Sequence, residues 1–169
     1  KRGLREFFES YPYSTMRAVP TYHLNDLQMR IRLAHMLGKN HINDVALKHE
    51  FLEYVDTTKP VYMLDFEAAQ FLMPEWEEVT PWSQVAFQYS LHKLHNKNLS
   101  HYEFIELGSD PRRALAEQLI KDCGAEGAIL VFNATFERAI ISKLAALHPD
   151  LKADLHKIER RIVDLHPLF

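Results

Sequence analysis

The sequence predicts an α/β domain: a mixed sheet in which an antiparallel meander is followed by strand–helix units, preceded by a small helical arm. Three observations predict it. Residues 61–66 are a nearly continuous apolar run of strand type, the mark of a strand buried on both faces. Residues 84–92 and 99–107 flank Asn96-Lys97-Asn98 as two arms of a hairpin. Beyond them, strand-type runs at 128–132 and 161–165 alternate with helical segments, which implies a sheet covered by helices.

The elements follow in order. Residues 1–20 read as an irregular arm, with Tyr11-Pro12-Tyr13 and a helix-hostile Val19-Pro20. Leu24, Leu27, Ile31 and Ala34 keep the three-and-four rhythm of one helix face, and Gly38-Lys39-Asn40 is a plausible stop. A second helix is expected over about 43–54, ended by Thr57-Thr58-Lys59-Pro60. Residues 68–82 carry Pro74, Pro81 and three glutamates and read as a loop. Asp110 is a natural cap for a helix with Pro111 at its first position and Gly124 past its end. Residues 134–147 read as a helix with Phe136, Ala139, Ile140, Leu144 and Leu147 inward, stopped by Pro149. A short helical piece is expected over 150–157. The arm or linker would span 1–59 and the sheet domain 60–169, with both ends reading as cuts through a longer protein.

Composition narrows the function classes. The chain has 169 residues, is 47% hydrophobic and 25% charged, and carries a formal charge of -3, so its whole surface is not a generic nucleic-acid binder. A metal-loaded acidic site would reverse that sign locally. The one cysteine, Cys123, rules out an internal disulfide and fits a reducing, cytoplasmic setting. The apolar stretches are far shorter than the ~20 residues a membrane helix needs. The ten histidines come with neither the Cys spacing nor the His-Glu-x-x-His pattern of a zinc site.

The chemistry gathers at strand ends. Asp65 and Glu67, one residue apart in a strand, share a face. Two adjacent carboxylates repel unless one is protonated or a cation sits between them; alternatively they are the solvated acids of a strand end. Asn133 and Glu137 mark the junction after the strand at 128–132. Asn133 is also a natural N-cap, and Glu137 also complements a helix dipole. Asp164 closes the last strand and reads either as a metal ligand or as a cap or turn residue. In open α/β sheets, sites gather at the carboxyl ends of strands. If the strands are neighbours, three carboxylates converge, the oxygen-rich setting that hard divalent ions take. Gln84, Gln88 and Ser90 are expected on the face that lines the groove; Trp76, Trp82, Phe87 and Tyr89 are aromatic enough to stack on bases. Arg112 and Arg113 open a helix, where the dipole slightly disfavours cations; a bound phosphate would explain them, but ordinary solvated charge is the favoured reading.

Leu64-Asp65-Phe66-Glu67 resembles the first motif of the DnaQ-like, or DEDD, 3′–5′ exonucleases of the RNase H-like fold. Asn133-Ala134-Thr135-Phe136-Glu137 resembles their second, Asn-x-x-Phe-Asp, with Glu137 in place of the Asp. Pro81-Trp82-Ser83-Gln84, the run from Phe87 to His92, Asp110-Pro111-Arg112 and Val163-Asp164-Leu165 further resemble a bacterial domain of unknown function in that superfamily, often fused to a RecB-like nuclease domain. The resemblance implies an RNase H-like mixed sheet with helices on both faces and metal-dependent cleavage of DNA or RNA. It implies Mg or Mn ions on Asp65, Glu67 and Glu137, with Asp164 a further candidate, and substrate-binding roles for Asn133, Phe66 and Gln84. It also implies a third motif, a His or Tyr and a final Asp on a last helix, which residues 165–169 are too few to hold. Without that motif, a non-catalytic module binding nucleic acid or a partner nuclease domain is the competing expectation.

Overall fold

The computed structural model describes residues 9, 15, 17–38, 51, 55–56 and 58–166. The chain divides into two compact units, Lys1–Leu47 and Lys48–Phe169. The expected arm at 1–20 and helix at 43–54 lie mostly outside the described residues.

In the first unit, helix α1 (Asp26–Leu37) follows a 3-10 turn at Thr21–His23. Asn25 and Gln28 close a reciprocal capping box, each side chain accepting the other's backbone N–H. Gly38, left-handed at φ 61°, ends the helix where the sequence places its stop.

The second unit is a five-stranded sheet of order β3-β2-β1-β4-β5. Its strands are β1 (Val61–Gln70), β2 (Gln84–His95), β3 (Asn98–Ile105), β4 (Ile129–Val131) and β5 (Ile162–Asp164). β1, β2 and β3 form the antiparallel meander, and β4 and β5 join β1 in parallel, so the sheet is mixed as expected. Asn96 and Lys97 both take positive φ, the two-residue turn whose twist matches a hairpin. β1 runs past the loop start expected at 68, because Ala68–Gln70 still pair with Gln84–Ala86.

The helices are α2 (Arg112–Cys123), α3 (Ala134–Leu147) and α4 (Lys152–Glu159). All three pack on one face of the sheet in a cluster that includes Tyr62, Leu64, Phe66, Tyr89, Leu115, Leu119, Ile141 and Leu155. On the other face, helical Phe51 and buried Val55 cover Val61 and Leu130. Met63, Leu94 and Leu99 remain exposed. Helical residues therefore lie on both faces, but the three-helix layer covers only one.

Two junctions fix the sheet's edges. Gly127 has φ 96°, and a Cβ there would fall 2.0 Å from the Pro60 carbonyl oxygen. Only glycine fits where the chain entering β4 crosses the residue before β1. At the start of α2, Asp110 accepts the Arg112 backbone N–H at 3.1 Å and grips its guanidinium through Nε and Nη2. The Arg112 side chain, only 12% exposed, also donates to the Glu77 carbonyl at 2.8 Å. Arg113 reaches Asp150 and Glu117. Arg112 is not the solvated charge expected of it, whereas Arg113, paired at the surface, stays 54% exposed.

Among the described residues, no helix is long and apolar enough to cross a membrane.

Candidate functional site

Strand alternation sends Tyr62, Leu64 and Phe66 into the helix-side core and leaves Asp65 and Glu67 exposed on the opposite face. On β2, Ser90 stands beside Asp65 and Gln88 beside Glu67. Ser90 Oγ lies 3.1 Å from His101 Nε2, and the His101 ring stacks on His92 at 4.4 Å.

The register shifts between Glu67 and Ala68: Glu67 pairs with Gln88, but Ala68 pairs with Ala86. Phe87 is the extra residue of a β-bulge, which bends a strand and re-aims its side chains. The bulge corrects the expectation that Gln84, Gln88 and Ser90 share a face. One inserted residue reverses the alternation, so Gln84 pairs with Gln70 and lines a cavity of about 370 Å³ with Ile140 and Leu144 of α3, away from the groove face.

Glu137 comes to the site from α3. Ala134, Glu137, Ile140, Ile141, Leu144 and Ala145 form the helix's buried stripe. The face is rotated from the expected one: Phe136, Ala139 and Leu147 are half-buried, and Glu137, 2% exposed, sits inward. Its carboxyl accepts a hydrogen bond from the Phe66 backbone N–H, while Oε2 is buried with no hydrogen-bond partner. Burial first, then the Asp65 carboxylate, with a smaller push from Glu67, raise its pKa to about 8; the Phe66 hydrogen bond opposes them. An unsatisfied buried polar atom costs about 1–3 kcal/mol.

Asp164 is placed differently. It accepts the Asn133 N–H at 3.1 Å and the His166 N–H at 2.9 Å. Slight burial raises its pKa, but hydrogen bonds from the N–H groups of His166, Ala134 and Asn133 outweigh that and hold it below the usual carboxylate range. It therefore caps the start of α3 from a neighbouring strand. Asn133 occupies the N-cap position, yet its side chain makes no capping bond; its backbone is left-handed, at φ 76° and ψ 67°.

Two other expectations change. Phe66 is 3% exposed and meets the Tyr89 ring edge-on at 6.2 Å, so its ring belongs to the core and only its backbone reaches the site. Tyr89 is fully buried, with Oη donating to Asp122 at 2.7 Å, and presents no surface to a base. Of the aromatics considered for stacking, Trp82 is the exposed one, at 61%. Phe132, not among those aromatics, is equally exposed, with the His166 ring 5.3 Å from it. An apolar strand run that ends on an aromatic immediately before Asn133 was the available signal.

Asp65 and Glu67 thus lie within β1, not at its carboxyl end as the sequence suggests, and their charges act on the Glu137 carboxyl. Among the described residues, however, no three His, Cys, Asp or Glu side chains form a ready set of metal ligands. The donors are all carboxylate oxygens, the type a hard cation takes, and the buried Glu137 Oε2 has no hydrogen-bond partner.

Comparison with curated proteins and with solved structures gave no match. Residues 62–169, from the second residue of β1 onward, match a family described as Domain of unknown function (DUF2779), and the chain belongs to that family.

Proposed function

We propose that Asp65, Glu67 and Glu137 hold Mg²⁺ or Mn²⁺ and that the domain hydrolyses phosphodiester bonds of DNA or RNA, in the 3′–5′ sense of the DnaQ-like exonucleases it resembles. The observation that carries the reading is Glu137: a buried carboxyl with one unpartnered oxygen, pushed up to about 8 by burial and by the carboxylates beside it. Helix α3 holds an acid in its core-facing stripe at a standing cost, and a cation is what would offset that cost.

Bound divalent ions would neutralise phosphate charge and lower the pKa of a coordinated water. The chain's own contributions are positional. β1 fixes Asp65 and Glu67 on one face, and the Phe66 N–H orients the Glu137 carboxyl. Asp164 locks the turn that leads into α3. Glu137 would hold such an ion only in its deprotonated form. The test is hydrolysis of labelled single strands, duplexes and mononucleotides with Mn²⁺, in the wild type and in the Asp65→Asn, Glu67→Gln double variant. Undiminished cleavage by the double variant would refute the assignment.

A second reading, binding without catalysis, is favoured by a specific observation. The Asp164 carboxylate is already occupied by backbone N–H groups, and the described residues hold no ready three-ligand set. Oligonucleotide binding with no turnover in Mn²⁺ would select it.

A further inference from the structure

The cavity of about 370 Å³ beside Gln84 lies between the loop that precedes β2, the start of β2 and the second half of α3. Its floor is hydrocarbon. Ile140, Leu144 and Leu147 follow one another at one-turn spacing along α3, and Val85 and Ala86 of β2 line it with them. Protein interiors leave few voids larger than a water molecule, and this one is the size of a small-ligand site.

The rim is polar and only partly used. Arg112 is already committed: it grips the Asp110 carboxylate and donates to the Glu77 carbonyl at 2.8 Å. Glu78 is the one acid among the described residues that line the cavity. The Thr80 hydroxyl, the Gln84 amide and the exposed Lys143 ammonium have no hydrogen bond or ion pair among the described residues.

The loop wall is held in place. Glu78 and Trp82 both take left-handed backbone, at φ 60° and 63°, which such side chains adopt only at a cost. The Arg112 bond to Glu77 fixes the chain beside the first. The Gln70 amide donates to the Trp82 carbonyl at 2.9 Å, and the Trp82 N–H donates to the Phe71 carbonyl at 2.8 Å, which fixes the second. Over-determined strain of this kind gathers at ligand clamps.

We propose that this cavity binds a small amphipathic monocarboxylate, with its hydrocarbon body on Ile140, Leu144 and Leu147 and its carboxylate at the rim with Lys143, Thr80 and Gln84. Charge chooses the head group. Asp110 neutralises Arg112, so Lys143 and Glu78 are the charges left at the rim. A monoanion gains a charge-assisted hydrogen bond from Lys143, whereas a phosphate dianion meets more of the Glu78 repulsion. The site is separate from the acidic cluster, because Gln84 lies beyond the Phe87 bulge and faces away from Asp65 and Glu67. It stands whether or not the domain cleaves nucleic acid.

The experiment is a titration with octanoate, octanol and octyl phosphate, followed by calorimetry and by NMR of the Ile140 and Leu144 methyl groups. Octanoate is expected to shift both sets of methyls saturably and to bind about tenfold more tightly than octanol. Lys143→Met is expected to remove that preference and leave octanol binding unchanged. Ala146→Phe, at an exposed lining position, is expected to block the shifts. Octanoate that leaves the wild-type methyls unmoved overturns the site, as does binding that survives Ala146→Phe undiminished. Equal affinity for octanoate and octanol, or tighter binding of octyl phosphate, overturns the choice of head group.

Discussion

Glu137 accepts the backbone N–H of Phe66, fastening a buried helix acid to the strand that carries Asp65 and Glu67. The bond draws the carboxyl to its site, yet a single hydrogen bond does not offset desolvation and two nearby negative charges. The folded protein therefore holds a proton on Glu137 near neutral pH, when an exposed glutamate would have lost it.

The sign of the pH dependence follows. The group moves from an ordinary 4.5 to about 8 on folding. Between those values the native state binds a proton that the unfolded chain has released, so stability falls as pH rises through that window and levels off above about 8. Glu137→Gln, neutral throughout, should flatten this slope. Between pH 5 and 9 the wild type should lose about 2–4 kcal/mol relative to the variant, measured by urea denaturation at both values. Parallel pH profiles would contradict the burial of an ionisable Glu137.

Cation binding inverts that balance. If Mn²⁺ takes the place of the Glu137 proton, its affinity should rise about tenfold per pH unit below about 8 and then level off, with close to one proton released per ion. Calorimetry in two buffers of different ionisation enthalpy counts the proton. Asp65→Asn should weaken the binding, and Glu137→Gln should remove its pH dependence. A pH-independent affinity would place the ion elsewhere.

The parts of this site legible in the sequence are those set by local pattern. The Asp65–Glu67 pair reads from strand alternation, and the helix start after Asn133 from an apolar run meeting a turn. Three features were hidden. Counting apolar positions along α3 passes over Glu137, although its spacing from Ala134 and Ile140 places it on the buried stripe. Alternation carries Gln84 to the wrong face because nothing local marks Phe87 as the extra residue of a bulge. Asp164 caps a helix that begins 30 residues earlier in the chain, a pairing that exists only once β5 lies beside β4.

Gly127 tests the seam between β1 and β4. An added methyl would sit 2.0 Å from the Pro60 carbonyl oxygen, at a backbone φ of 96° that side chains rarely adopt. Backbone on both sides cannot yield as a flexible side chain would. Gly127→Ala is expected to cost about 3 kcal/mol or more, whereas Gly38→Ala, at φ 61° in open space, should cost about 1 kcal/mol. Comparable losses at the two glycines, by thermal or urea denaturation, would show that the Pro60 contact does not constrain the fold.

Asp164 separates capping from coordination. As a cap, its carboxylate satisfies N–H groups at Asn133, Ala134 and His166. Asp164→Ala should then destabilise the domain by about 1–2 kcal/mol. Asp164→Asn, which keeps an acceptor oxygen, should recover most of that. Mn²⁺ affinity, read from the thermal shift at saturating and subsaturating ion, should change far less in Asp164→Asn than in Asp65→Asn, since the former's oxygens already face backbone donors. Equal losses of affinity in the two variants would make Asp164 a ligand, and its hydrogen bonds to the turn would then belong to the ion-free state.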